Sequence, residues 1–264
     1  MRKEDIPVSY SSEGTGPAIV FLHGWGVDRR VWRQQIKYFS SDNKVIAIDL
    51  PGHGESQWQD ADLNDIAYGI KNVLDKEDVG TATFVGSSLG GMIAVKCAEL
   101  FPERINRLVM VGSMPKLAKT NEYPYGLELA QFRKLACQLD SAYPDILNVF
   151  FRSLFTKWER ATRRYHWIQR FRRDISQPCR EALQAYLDIL ERTDLIEVFS
   201  KLRMPLQVMF GSHDPICGPD AETFLRRLAP DAKFYIFQQC GHFPFLSQPY
   251  GFNKILDEFL EMRV

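Results

Sequence analysis

Six short apolar runs, each closing on glycine or a polar residue, set the frame for this chain. They are AIVFLHG (18–24), KVIAIDLPG (44–52), ATFVGSS (82–88), RLVMVGS (107–113), PLQVMFG (205–211) and KFYIFQQCGH (233–242). Runs so rich in β-branched and aromatic residues, with no polar alternation, read as strands covered on both faces, the pattern of a parallel sheet. Helical patterns lie between most of them: VWRQQIKYF (31–39), LNDIAYGIKNVLDK (63–76), GMIAVKCAELF (91–101), DAETFLRRLA (220–229) and GFNKILDEFLEM (251–262). Strand and helix in alternation, joined by right-handed crossovers, predict a doubly wound, mostly parallel α/β sheet. A chain of 264 residues can bury a large core in one such domain.

The alternation breaks once. Between the runs at 107–113 and 205–211 lies a long stretch of aromatic and arginine-rich helical patterns with no convincing strand. Its place between two core strands makes it an insertion, so residues 1–114 and 196–264 are assigned to the core and 115–195 to a helical lid. The net charge is zero overall, which argues against a general nucleic-acid binder. Residues 151–180 nevertheless hold nine Lys or Arg against two acids. Arg152, Arg160, Arg163, Arg164, Arg170, Arg172 and Arg173 are the arginines of this stretch that would attract an acidic partner. A solvated basic helix face is the plainer reading of the same residues.

Five scattered cysteines, an odd number with no C-x-x-C, suggest reduced thiols and neither a disulfide framework nor a zinc site. The N-terminal MRKEDIPVSYSSEG lacks the apolar centre of a signal peptide, and no apolar run approaches a membrane span. A cytoplasmic protein, with no membrane and no nucleic-acid partner, is expected. A monomer is also expected.

In open parallel sheets, ligands bind beyond the carboxyl ends of the strands. The polar groups that follow each strand are therefore the candidates. After 82–86 comes Gly86-Ser87-Ser88-Leu89-Gly90. G-x-S-x-G fits only with Ser88 at the centre, since Ser87 would be flanked by Val85 and Leu89. A sharp strand-to-helix elbow needs glycine on both sides of a nucleophile held in a strained conformation. A serine hydroxyl needs a histidine to take its proton. His242 follows the last strand, and Asp214 follows the strand at 205–211. The carboxylate would hold the imidazole in its useful tautomer. The order Ser88, Asp214, His242 is that of strand-end triads in this sheet class. An oxyanion hole needs two backbone N–H groups, for which Leu89 and Trp25, in His23-Gly24-Trp25-Gly26, are the candidates. His23 reads as a structural hydrogen-bonder, and His213 would face away from the site. His53 and His166 lack positions that would bring them to Ser88.

H-G-W-G, D-L-P-G-H-G-E-S, G-S-S-L-G-G, G-S-H-D and G-H, in that order, resemble the α/β-hydrolase superfamily over nearly the whole chain. LHGWGVDRRVW, FPERINRLVMVGSMP, LDILERTDL, MPLQVMFGSHD and YIFQQCGHFPFLSQP resemble one branch more closely: the carboxylesterases of biotin synthesis (BioH-type). That resemblance implies hydrolysis of the methyl ester of a pimeloyl chain on acyl-carrier protein, with no metal or organic cofactor. It also implies substrate contacts at Phe151, Arg152, Ser153, Leu154 and Phe155, beside Trp25, Ser88, Leu89 and His242. The apolar members of that stretch, at helical spacing, read equally as packing against the core. The chain departs at Ser87 from a member of that family that carries tryptophan before the nucleophile. Two other readings stay open on residues alone. One is a generalist esterase, thioesterase or carbon–carbon bond hydrolase. The other is a non-catalytic ligand receptor on the same scaffold.

Overall fold

A computed structural model describes residues 6–262. The first five residues, which belong to the N-terminal stretch read above as no signal peptide, lie outside the described residues. Seven strands form one sheet: β1 (Tyr10–Glu13), β2 (Ala18–Leu22), β3 (Lys44–Ile48), β4 (Ala82–Ser87), β5 (Ile105–Val111), β6 (Leu206–Gly211) and β7 (Lys233–Phe237). Their order across the sheet is β1-β3-β2-β4-β5-β6-β7. All neighbours are parallel except β1 and β3. The six predicted runs are β2 to β7. The seventh strand, β1, was not predicted. Its sequence YSSE is polar and its burial partial, as befits an edge strand, so it carries none of the apolar signal of the others.

The core helices are α1 (Arg33–Phe39), α2 (Leu63–Lys76) and α3 (Leu89–Leu100), then α9 to α12 at Ile196–Ser200, Glu222–Leu228, Pro244–Ser247 and Pro249–Leu260. They cover both faces of the sheet, one apolar cluster on each side. α2 starts at a capping box between Asp62 and Asp65, then lays Ile66, Ile70, Val73 and Leu74 against the sheet. α3 has no such polar side. Residues Leu89 to Val95 are all buried, because this helix runs along the middle of the sheet behind the elbow.

Residues 115–195 contain α4 (Leu129–Ala142), α5 (Asp145–Ser153), α6 (Lys157–Arg160), α7 (Arg163–Asp174) and α8 (Arg180–Arg192), with no core strand among them. The segment leaves and re-enters at one point. Lys116 and Asp194 form an isolated antiparallel bridge and an ion pair at 2.8 Å, and Leu195 N–H donates to Pro115 O. Its helices rest on the strand ends. Cys179 N–H donates to Gly52 O, and the Trp25 indole donates to Leu183 O.

Candidate active site

The elbow follows from steric limits. Ser88 has φ 53 and ψ −117, a conformation costly for a side-chain residue. A Cβ on Gly86 would lie 2.3 Å from Gly90 O, and one on Gly90 2.4 Å from Leu22 O. Neither position accepts any other residue without moving backbone. Ser88 is held from both sides: its N–H donates to Val111 O, and its carbonyl accepts from the Ser113 hydroxyl. The hydroxyl-bearing side of the turn faces a cavity. Ser87 is fully buried at the end of β4, and its hydroxyl has no hydrogen-bond partner among the described residues.

Asp214 and His242 meet as expected from their strand ends. His242 Nδ1 lies 2.9 and 2.8 Å from the two Asp214 oxygens, and both side chains are buried. A carboxylate can only accept, so the Nδ1 proton is the one shared and Nε2 is left as the acceptor. Asp214 is fixed in turn by the N–H groups of Ile216 and Cys217. Burial, with the Asp214 charge beside it, pushes the Cys217 thiol well up, so this cysteine is no nucleophile. β5 contributes an element that sequence reasoning missed. Gly112 has φ 52, and a Cβ there would lie 3.0 Å from His242 Nδ1 and 3.1 Å from Asp214 Oδ2. The only earlier signal was a glycine at a strand end.

The loop after β2 lies against the elbow. A Cβ on Gly24 would lie 3.3 Å from Ser88 Cβ. Two buried histidines hold this loop. His23 Nδ1–H donates to Gly24 O while Nε2 accepts from Leu50 N–H. His53 Nε2 accepts from Gly26 N–H, at 3.3 Å, and Nδ1 faces Pro51 O. Burial lowers both imidazoles, His53 to about 3, which keeps them neutral. His23 is thus a structural hydrogen-bonder, as predicted, and His53 shares that role. His213 is exposed and turns away, bonded to the Ser212 hydroxyl and packed edge-on to Trp158. His166 is exposed on α7, bonded to Thr162 O.

Ser88 and His242 both line one cavity. Its other walls are apolar: Leu117, Leu127, Phe132, Leu135, Leu187 and Leu190 from the insertion, with Ile216 and Phe243 from the core. Gln131 stands where the cavity nears the surface. The contacts expected on α5 sort differently. Trp25 and Leu154 line the cavity, as does Phe150, which meets the Trp25 ring edge-on at 5.0 Å. Phe151 and Phe155 do not. They are buried behind Phe243, with ring centres 5.6 and 5.7 Å from it, and stiffen the wall from outside. Arg152 and Ser153 point to solvent. A helix presents one face to the cavity, and here that face carries Phe150 and Leu154, at i, i+4 spacing, so that of the expected stripe only Leu154 lines it.

The basic residues of 151–180 also divide. Arg172 is 8% exposed, lying over the Phe151 ring, and is removed from any surface role. Arg164 is half-buried, donating to Leu246 O and Gln34 while stacked on Trp167, so it ties α7 to the core. Arg160 is half-buried and donates to the Phe155 carbonyl. Arg163, Arg170 and Arg173 are exposed. Together with His166 they follow the i, i+3, i+7, i+10 spacing of one helical face.

Among the described residues no three His, Cys, Asp or Glu side chains converge as a metal would require, and no helix is long and apolar enough to cross a membrane. The cysteines are free: Cys97, Cys217 and Cys240 are buried, Cys179 is partly covered and Cys137 is exposed.

The chain is similar to known proteins over nearly its whole length. A model of the alpha/beta hydrolase fold matches residues 17–249. A pimeloyl-[acyl-carrier protein] methyl ester esterase of Nitrosomonas europaea is 30% identical over 250 residues, spanning 95% of this chain and 98% of the relative. One of the same name from Photobacterium profundum is 29% identical over 96% of this chain and 98% of its own length. Among solved structures, an esterase from Exiguobacterium antarcticum superposes with a TM-score of 0.87 over 97% of this chain and 96% of that one, at 21% identity. A bromoperoxidase from Bacillus anthracis reaches 0.88 over 99% of this chain and 98% of that one, at 20% identity. Such low identities speak for the fold alone. From the elbow at the end of β4 to the match across nearly its whole length, this chain belongs to the α/β-hydrolase family.

Proposed function

We propose that the chain is a serine carboxylesterase that hydrolyses the methyl ester of pimeloyl-[acyl-carrier protein], giving methanol and the free acid on its carrier, as in biotin synthesis. The observation that carries this reading is the cavity. Ser88 and His242 open into one space with mostly apolar walls, suited to an uncharged acyl ester, in a chain whose full-length relatives bear that name.

In the proposed reaction, His242 Nε2 takes the Ser88 proton as the hydroxyl oxygen attacks the ester carbonyl. Asp214 holds the imidazole and stabilises its protonated form. The N–H groups of Trp25 and Leu89 receive the oxyanion, and the N-terminus of α3 adds its favourable dipole. His242 then gives the proton to departing methanol. Water, deprotonated by the same imidazole, cleaves the acyl-enzyme and restores Ser88. No cofactor enters these steps.

The carrier protein is acidic, and the exposed stripe Arg163, Arg170 and Arg173, with Arg152 nearby in sequence, is its proposed docking surface. The working protein is a cytoplasmic monomer in this reading. A triple charge reversal at Arg163, Arg170 and Arg173 tests it. Catalytic efficiency on the carrier-bound ester falls about tenfold or more and becomes less salt-dependent, while a short p-nitrophenyl ester is turned over as before. Equal losses on both substrates, or none on either, reject carrier docking there and favour a generalist esterase.

A further inference from the structure

One buried carboxylate lies close to the histidine loop and takes no part in the reaction just described. Glu159 is 8% exposed and stands in α6, in the insertion. Its Oε2 accepts two backbone hydrogen bonds, from Thr156 N–H at 2.6 Å and from Gly241 N–H at 3.0 Å. The first is one half of a capping box, whose other half is Glu159 N–H donating to the Thr156 hydroxyl. The second crosses from the insertion to the core, to the residue next to His242. Five residues earlier in the chain, Leu154 O accepts from His242 N–H itself at 2.9 Å. Two successive backbone N–H groups of the histidine loop therefore end on the insertion.

The other side of the loop is held by the core. His213 N–H donates to Cys240 O, Gln239 N–H donates to the Ser212 hydroxyl, and Gln239 itself has φ 55. Asp214, one residue beyond His213, holds the imidazole. The loop is thus clamped between the Asp214 turn and the Glu159 turn. The carboxylate is close enough to be felt: burial, and next the Glu159 charge, push the Cys240 thiol up. Ordinary helix capping accounts for the Thr156 contact. It does not account for a buried carboxyl group whose same oxygen reaches across to residue 241.

We propose that Glu159 is a positioning residue, which sets the His242 backbone, through Gly241, at the distance from Ser88 that proton transfer requires. The proposal rests on the reading of His242 as the general base. Because a single oxygen takes both bonds, a glutamine can replace the carboxylate: its carbonyl oxygen occupies the same place, and its amide turns toward Cys240. Alanine cannot.

The test uses four variants of the full chain, assayed with a short p-nitrophenyl ester and by the rate of Ser88 labelling with a fluorophosphonate. In Glu159→Ala, kcat and the labelling rate fall about 10- to 100-fold while KM stays within about twofold. In Glu159→Gln both return to within about threefold of the parent. Thr156→Ala removes the cap from the same helix turn but leaves the bond to Gly241, so it lowers the melting temperature without lowering kcat. His242→Ala abolishes turnover. If Thr156→Ala lowers kcat as much as Glu159→Ala, Glu159 acts only through local stability and the proposal fails. If Glu159→Gln is as impaired as alanine, the hydrogen bond is not what matters and it fails again. Should Glu159→Ala not fold, the glutamine and threonine variants still decide. Full activity in His242→Ala would overturn the reading of the base, separately from the role of Glu159.

Discussion

The core and the insertion contribute to the same cavity under different rules. In the core, backbone geometry dictates residue identity. Gly86, Gly90 and Gly112 stand where any Cβ would strike backbone or the His242–Asp214 pair. In the insertion, the cavity walls are leucines and phenylalanines whose positions ask only for apolar volume. A rigid part that holds Ser88, Asp214 and His242 is thus joined to a tolerant part that lines the cavity beside them. Cores accept apolar exchange of similar volume at little cost, whereas a backbone clash has no cheap relief.

Substitutions should expose this difference in graded fashion. The largest effect is expected at Ser88. Ser88→Ala lowers kcat by about three orders of magnitude or more with the fold intact, measured by steady-state turnover and thermal melting. Near-parental turnover would remove the nucleophile from this account. Next comes Gly90→Ala, which costs about 3 kcal/mol or more in denaturant unfolding. Gly80→Ala is its control: nothing lies within 4 Å of a Cβ there, and its effect stays within about 0.5 kcal/mol. Similar losses at both glycines would erase the distinction drawn for the core.

The joint between the two parts gives a pH signature. His53 bonds the loop after β2 and packs edge-on against Tyr186 of α8, and burial lowers it to about 3. In the unfolded chain a histidine titrates near 6.5, so below that value protonation favours unfolding. Its contribution to stability is complete above about pH 6.5. It then falls by about 1.4 kcal/mol per pH unit on the way to pH 3. Melting curves across this window should show the slope, and His53→Asn should flatten it; an unchanged slope would show that His53 titrates freely. The smallest effect belongs to the insertion. Phe150→Leu shifts the preference between short and long acyl esters by less than about tenfold, at unchanged stability within about 1.5 kcal/mol. A collapse of turnover on every ester would mean that Phe150 is as constrained as the glycines.

The same division explains what could be read beforehand. Core strands announce themselves as continuous apolar runs, and the elbow, the Asp214 turn and the His242 turn sit at their ends, where short motifs carry the geometry. The half-exposed β1 has no such signal. The helices of the insertion are visible as helices, but the face that α5 turns to the cavity depends on how α4 and α8 pack beside it. Of the stretch that the resemblance pointed to, Leu154 lines the cavity, whereas Phe151 and Phe155 pack behind Phe243 and Phe150 stands in the wall. The arginines show the same limit. Composition gives the charge of 151–180, whereas burial beside Phe151 withdraws Arg172 and the Gln34 contact commits Arg164. Glu159 was invisible for a further reason. Its partner, Gly241, is 82 residues away, and a bond to a backbone N–H leaves no trace in residue type.

The bridge between Lys116 and Asp194 has a topological consequence. Residues opposed in an antiparallel pair stand about 5 Å apart, the span of a two-residue hairpin turn. The entire stretch between them could be exchanged for such a turn, or for a different cassette, without pulling any strand of the sheet out of register. Leu154 and Glu159 make the exchange conditional. A replacement cassette must return two acceptors to the loop at 241–242, or Gly241 N–H and His242 N–H lose the partners they have now.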